Sequence, residues 1–373
     1  MPSRRILFLV NGLGLGNSTR CHAIIQRLVE YGAKVQVVTS GNGLWYFQSM
    51  PGIARLHEIE SLYYGVKNGR ISITRTLTAV QDLAAILRRN GRKLASIVAD
   101  WQPDVAITDS VYTFLSFKRR GIPLVALNNA DVVHKAYRRF KDRPRSIRAQ
   151  FWCVEEPDYV FHRIVPDLVI SPTLDLTMAE VGGNVRRVGP IVRRGLSSVA
   201  ALSSVSRVLV MMSGSRFGSP VVFRRTTWPF EIDVVGRPAP ENWTAGGRIR
   251  YHIKLRDNKS LLEAADMVVV NGGFSAVSES FAMRQPLVVI PVPNHAEQWI
   301  NARTIEHLSV GMSASEDDME DALDNAARQV QRFHEGYKRI VEIPDGAAQA
   351  AQLIMSVAST QGGAATWKSQ DSY

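Results

Sequence analysis

Cysteine is nearly absent from this chain: Cys21 and Cys153 are the only two in 373 residues. They lack C-x-x-C spacing, so a disulfide framework and a cysteine metal cluster are both excluded, and two buried apolar residues are expected instead. A reducing cytoplasm is the simplest compartment. Long hydrophobic runs are missing too. No stretch approaches the roughly 18 apolar residues that a membrane span requires, so any membrane contact is expected to be peripheral, at an inner face. The opening RRILFLV stops at Asn11-Gly12 and reads as a buried first strand rather than a leader.

Acidic residues are scarce in one half only. Residues 1–195 carry 28 Lys+Arg against 15 Asp+Glu, whereas residues 196–373 carry 17 against 19. The N-terminal half is therefore +13 and the C-terminal half −2, so the formal charge of +11 arises entirely from the N-terminal half. Such asymmetry points to an acidic partner met by one domain. An apolar fraction of 45% argues against global disorder, and the length suits two domains. No repeat of fixed period is present.

Short apolar runs alternate with longer amphipathic ones, the pattern of βα units around a parallel sheet. Strands are expected at Ile6–Val10, Lys34–Ser40, Val105–Thr108, Pro123–Asn128 and Leu168–Ser171. The first helix is expected at Ser18–Tyr31, capped by Ser18 and closed at Gly32, and a long one at Thr74–Trp101. The Ser/Ala-rich LSSVAALSSVS, within Arg186–Ser206, is the candidate linker. A second series follows, with strands at Arg207–Met212, Phe230–Val235, Met267–Asn271 and Leu287–Pro291, and helices at Ser260–Ala265, Ser275–Met283 and Ala296–Leu308. The expected division is residues 1–195, residues 196–345, a last helix at 346–358 and a polar tail at 359–373.

Two loops could carry chemistry. Gly12-Leu13-Gly14-Leu15-Gly16-Asn17-Ser18 joins strand one to helix one, where glycines let backbone approach a ligand and unpaired N–H groups face it. The spacing is not G-x-G-x-x-G, and strand two ends Val38-Thr39-Ser40 without the carboxylate a dinucleotide site needs. Asn271-Gly272-Gly273-Phe274-Ser275 is better defined, because its backbone can cradle a diphosphate at a helix start. Glu279, one turn on, can accept hydrogen bonds from vicinal hydroxyls such as those of ribose. Pro291-Val292-Pro293-Asn294-His295-Ala296-Glu297-Gln298 then presents the amide and carboxylate groups that hydroxyl-rich ligands require.

The stretch from Ser260 to Gly311 resembles the donor-binding region of GT-B nucleotide-sugar glycosyltransferases, especially the MurG-like and UDP-glycosyltransferase branches. The resemblance runs through residues 4–358 in order. It implies two Rossmann-like parallel-sheet domains facing a central cleft, with a nucleotide-sugar on the C-terminal domain and an acceptor on the N-terminal one. It further implies that Gly273, Phe274 and Ser275 hold the pyrophosphate, with Ser215 and Arg193, the latter in VGPIVRR, completing the phosphate site. Glu279 would hold the ribose; Glu297 and Gln298, with His295 as a further contact, the sugar; and the His252-Ile253 segment the base. Gly14 and Gly16 would form the acceptor-side loop. The implied reaction is hexosyl or N-acetylhexosaminyl transfer from a UDP- or dTDP-sugar, inverting, to a hydroxyl of an anionic or membrane-associated acceptor.

One departure matters. Many relatives carry Gly-His before the first helix, and this chain has Asn17, which can orient a hydroxyl but cannot take a proton at neutral pH. Asp109, at a strand's carboxyl end, is the expected general base, with His22 as the second choice. The competing readings are a salt-bridged or capping carboxylate for Asp109 and a partly exposed helical histidine for His22. No D-x-D occurs, so no metal or other cofactor is expected, and a helix N-terminus with Arg193 would meet the leaving charge. The basic run Arg138–Arg148 suits an anionic lipid surface or acceptor; nucleic acid is not expected, since no recognised module accompanies it. A non-hydrolysing UDP-sugar 2-epimerase and a non-catalytic nucleotide-sugar-binding protein are the alternatives.

Overall fold

A computed structural model describes residues 3–60, 66–67, 70–71, 80–178, 182–212, 220–225, 227–244, 247–252, 255 and 257–360. The first sheet has seven strands in the order β3-β2-β1-β6-β7-β8-β9: β1 (Arg5–Val10), β2 (Lys34–Thr39), β3 (Arg55–Glu58), β6 (Val105–Asp109), β7 (Leu124–Leu127), β8 (Leu168–Pro172) and β9 (Val185–Val188). A two-residue antiparallel ribbon, β4 (Val66–Lys67) with β5 (Arg70–Ile71), stands apart from it. The second sheet has six, β12-β11-β10-β13-β14-β15: β10 (Arg207–Met211), β11 (Glu231–Val235), β12 (Ile249–His252), β13 (Met267–Asn271), β14 (Leu287–Ile290) and β15 (Gly311–Ser313). Every pairing in both sheets is parallel.

Strands buried on both faces explain the continuous apolar runs of the sequence, since helices cover each side of a parallel sheet. Val268 to Val270 and Ile6 to Val10 are all 0 or 1% exposed. The connectivity reverses between β1 and β6 in one sheet and between β10 and β13 in the other, which makes the carboxyl ends of those strands the switch points where crevices open.

Helices are numbered here in chain order: α1 (Leu15–Glu30), α2 (Gly41–Phe47), α3 (Val80–Trp101), α4 (Leu115–Lys118), α5 (Ala130–Arg139) and α6 (Glu156–Ile164) in the first half. A π turn, Phe151–Glu155, runs into α6. The second half adds α7 (Lys259–Ala264), α8 (Phe274–Ala282), α9 (Ala296–His307), α10 (Met319–Arg328), α11 (Val330–Lys338) and α12 (Gly346–Ser359). Among the described residues no helix is long and apolar enough to cross a membrane.

Two features join the halves. Helix α12 leaves the second sheet and packs on α1, placing Ala347, Ala350, Ala351 and Ile354 in the core of the first. Its path crosses the outgoing chain so tightly that a Cβ on Gly346 would lie 2.0 Å from the Gly189 carbonyl oxygen. The second feature is a small apolar core in which Tyr137, Ile147 and Phe151 meet Ala296 and Ile300 of α9.

Sequence and structure differ at several points. Helix α1 starts at Leu15, with Gly14 as its N-cap, so Ser18 is not the cap; its side chain is buried in the first turns beside Gly43. A start three residues earlier brings the free N–H groups of the helix to the glycine loop itself. Gly32 does close the turn after the helix, with φ of +81°. The VRRVGP stretch that precedes the expected linker contains the last strand of the first sheet, Val185–Val188. The tail beyond residue 360 lies outside the described residues, as does the part of the long helix before Val80.

Candidate active site

Two helix N-termini face each other between the sheets. The loop after β1 leads into α1, whose Gly14 N-cap is extended and supplies no side-chain cap; the loop after β13 leads into α8, whose Gly273 N-cap supplies none either. The Ser275 hydroxyl donates to the Gly16 carbonyl across the gap at 3.0 Å. Gly14, Gly16, Gly273, Phe274 and Ser275 are thus one locus. Unpaired N–H groups and two positive dipole ends there suit a polyanion. Among the described residues a Cβ on Gly273 would meet nothing within 4 Å, whereas one on Gly272 would lie 2.5 Å from the Gln298 carbonyl oxygen. Gly273 borders open space, and Gly272 lets the start of α9 close on β13. Asn301 fixes this junction by donating to the Gly272 carbonyl at 2.8 Å. Asn17 is half-buried in the first turn of α1.

Glu279 is 8% exposed and bound face to face by Arg193, with Nε to Oε1 at 2.6 Å and Nη2 to Oε2 at 2.9 Å. Arg193 also reaches Asp257 Oδ1 at 2.7 Å and Asn258 Oδ1 at 2.8 Å. Burial works against its charge, but the Glu279 and Asp257 carboxylates outweigh this and raise its pKa. The two residues expected to contact ribose and phosphates separately therefore form one unit, in which the guanidinium orients the carboxylate. Ser215 lies outside the described residues, as does Ile253. His252, beside it, is half-exposed at the end of β12 and bonded to Asp233 at 2.8 Å.

Asp109 is placed differently from the expectation. It is 0% exposed at the end of β6; Arg20 of α1 binds it through Nε to Oδ2 at 3.0 Å and Nη2 to Oδ1 at 2.6 Å, and the Cys21 thiol donates to Oδ2 at 3.3 Å. Oδ1 also accepts from the Ser110 hydroxyl at 3.4 Å, so both oxygens are taken: the salt-bridged alternative is the one the structure holds. The proposal that His22 acts in its place meets the same obstacle. Its ring is 5% exposed, with Nδ1 3.3 Å from the Tyr46 hydroxyl and Nε2 3.4 Å from the Pro51 carbonyl oxygen. Burial pulls its pKa down, which keeps the ring neutral.

One unexpected group joins the start of α9: Glu155 of the π turn and the expected His295 and Glu297 place one titratable atom each within 4.8 Å of one another. Gln150 ties them across the two halves: Oε1 accepts from the Ala296 backbone at 2.9 Å, while Nε2 donates to Glu155 Oε1 at 2.6 Å. Asn129 Nδ2 reaches Glu297 Oε1 at 3.5 Å. Burial, then the charge of Glu297, push the Glu155 carboxyl up to about 8. Burial lowers the His295 pKa, and its buried Nδ1 has no hydrogen-bond partner among the described residues. These residue types also ligate divalent ions, but Gln150 and Asn129 already take up carboxylate oxygens, and the trio reads as an acid–base cluster. Gln298 holds the preceding turn, accepting from the Val292 backbone at 2.9 Å. Glu155 and Gln150 had no motif to expose them; the only sequence signal was the end of the basic run.

The profile of glycosyl transferase family 1 matches residues 4–330. The chain belongs to this family. An uncharacterized glycosyltransferase of Methanosarcina acetivorans is 23% identical over 334 residues, 83% of this chain and 86% of the relative. Among solved structures, a UDP-glucosyltransferase from Polygonum tinctorium superposes with a TM-score of 0.67 at 14% identity, covering 96% of this chain and 99% of its own. Acinetobacter baumannii MurG gives 0.61 at 13% identity, over 95% of this chain and all of its own. The fold is GT-B, and the protein is a glycosyltransferase.

Proposed function

We propose that this glycosyltransferase transfers a hexosyl or N-acetylhexosaminyl group, with inversion, from a UDP- or dTDP-sugar to a hydroxyl of an anionic or membrane-associated acceptor. The observation that carries the reading is the uncapped N-terminus of α8, opening through Gly273 on the gap closed by Gly16. A diphosphate seated there satisfies N–H groups that no side chain caps, and the helix dipole meets the charge that develops as it leaves. Departure needs no metal in this reading.

Glu279, held rigid by Arg193, accepts hydrogen bonds from the ribose hydroxyls. A carboxylate bound by arginine on one edge keeps lone pairs on the other. The phosphates are then left to the backbone of Gly273 to Ser275 and to Ser215, with Arg193 acting through Glu279. Glu297, Gln298 and His295, at the start of α9, face the sugar.

The acceptor side is the basic half. The last turn of α5 and the segment after it carry Arg138, Lys141, Arg145 and Arg148 at the surface. Beyond it Trp152, Val154, Val160 and Ile164 are exposed, Ile164 to 74%. Basic and apolar surface together suit a lipid headgroup plane. The test is a thermal-shift screen of UDP, dTDP and their sugars, followed by product analysis with no acceptor present. Stabilisation by one nucleotide and release of free sugar are expected; no shift with any nucleoside diphosphate contradicts the reading. Conversion to a C2 epimer would mark a 2-epimerase instead.

A further inference from the structure

We propose that Glu155, the last residue of the π turn, is the general base that deprotonates the acceptor hydroxyl, the part Asn17 cannot play and Asp109 is not placed to play. The proposal rests on the glycosyl-transfer reading.

Geometry comes first. Glu155 belongs to the acceptor half, yet its carboxylate lies within 4.8 Å of both His295 and Glu297, which begin the helix assigned to the donor sugar. On the proposed reading it therefore lies at the seam between the half that takes the acceptor and the helix start that takes the donor sugar. It is 9% exposed, and Gln150 fixes it at 2.6 Å while also bonding the first turn of α9, so its position is set by both halves at once. π turns are rare and frequent at functional sites.

Charge supports the same role. The groups acting on Glu155 are Gln150 from the preceding turn, Asp158 from α6, and Glu297 with His295 from α9. On α5, His134 is turned away to Glu156 at 2.6 Å, and Asp131 to Arg187 at 2.8 Å. Burial and the like charge of Glu297 hold the Glu155 proton up to about pH 8, which makes the ionised form a strong base near neutrality. In the step itself the acceptor O–H proton passes to a Glu155 carboxylate oxygen. The acceptor oxygen bonds the anomeric carbon, and the bond from that carbon to the diphosphate breaks with its electron pair leaving on the diphosphate. Glu155 returns the proton to water.

The test takes the whole protein and whichever of UDP-glucose, UDP-N-acetylglucosamine and dTDP-glucose gives the largest thermal shift. It measures nucleoside diphosphate release, with water as acceptor, between pH 6 and 9.5. Glu155→Gln preserves size and the Gln150 contact. Its kcat is expected to fall roughly 10²–10⁴-fold with donor Kd unchanged, and the rise of wild-type rate through about pH 8 should vanish; Glu155→Asp should recover part of the rate. An infrared titration supplies a readout free of substrate: a protonated-carboxyl band lost through about pH 8 in the wild type and absent from Glu155→Gln. Unchanged kcat and pH profile in Glu155→Gln, with donor bound, would overturn this proposal alone. Failure of every donor to bind the wild type would overturn the glycosyl-transfer reading beneath it.

Discussion

The carboxylates of this protein show how much a residue's role depends on what faces it. Asp109 stands at the strand end that the sequence pattern marks, but its partner Arg20 lies 89 positions away. Removing one member of a buried pair leaves an uncompensated charge. Asp109→Ala should therefore destabilise the protein by about 3–5 kcal/mol, measured by urea unfolding, rather than shift a pH–rate profile. Glu155 titrates with the opposite consequence. Its folded pKa, about 8, is above the 4.5 of a free glutamate, so the native state holds a proton that the unfolded state has lost across that window. Stability therefore falls as pH rises from about 4.5 to 8, by up to roughly 1.4 kcal/mol per unit. Glu155→Gln should gain melting temperature relative to wild type as pH is raised from 5 to 9, and a constant difference would contradict the buried, like-charged setting of this group. The Glu279 position was legible because its loop carries a motif. Its union with Arg193 was not, since nothing local connects residues 86 apart.

At the level of elements, the sequence speaks clearly where burial is two-sided and faintly where packing is remote. The inner parallel strands read directly from apolar runs such as MVVVN, and α8 and α9 from the glycine and proline punctuation before them, whereas the half-exposed outer strands β3, β9, β12 and β15 carry no such run. Helices α5 and α6 and the π turn between them were not legible: Tyr137 and Phe151 stack at 3.5 Å and are covered by Ala296 and Ile300 from the other half, so their periodicity answers to a partner far along the chain. The start of α1 was misplaced because Ser18 looks like a cap, while the real N-cap is a glycine with no side chain to reveal it. The two glycines before α8 make a sharp comparison. Gly272→Ala forces a Cβ to 2.5 Å from the Gln298 carbonyl oxygen and should cost about 1–3 kcal/mol in urea unfolding. Gly273→Ala adds a Cβ that meets no atom of the described residues within 4 Å, so the fold should persist while nucleotide affinity drops at least about tenfold in calorimetry if, as proposed, the diphosphate takes that space.

For the whole molecule, the uneven charge becomes a division of labour on the proposed reading, in which the near-neutral half takes the donor through backbone N–H groups and the basic half takes the acceptor. Helix α12 and the core at Tyr137 and Ala296 bind the halves together, as does the Arg27 to Asp345 ion pair at 2.5 Å. If the basic, apolar segment docks on membranes, vesicles rich in anionic lipid should sediment the wild type, and Ile164→Asp should weaken this severalfold at unchanged fold stability; equal sedimentation by neutral vesicles would refute an electrostatic surface. The central claim is that the nucleotide diphosphate of a sugar donor sits at the N-terminus of α8, with its ribose on Glu279. Calorimetric titration of UDP and dTDP into the wild type and Glu279→Ala tests it most directly. One nucleotide should bind the wild type at micromolar to millimolar Kd and bind the variant at least about tenfold more weakly. Absence of binding by either nucleotide, or equal binding by both proteins, would contradict it.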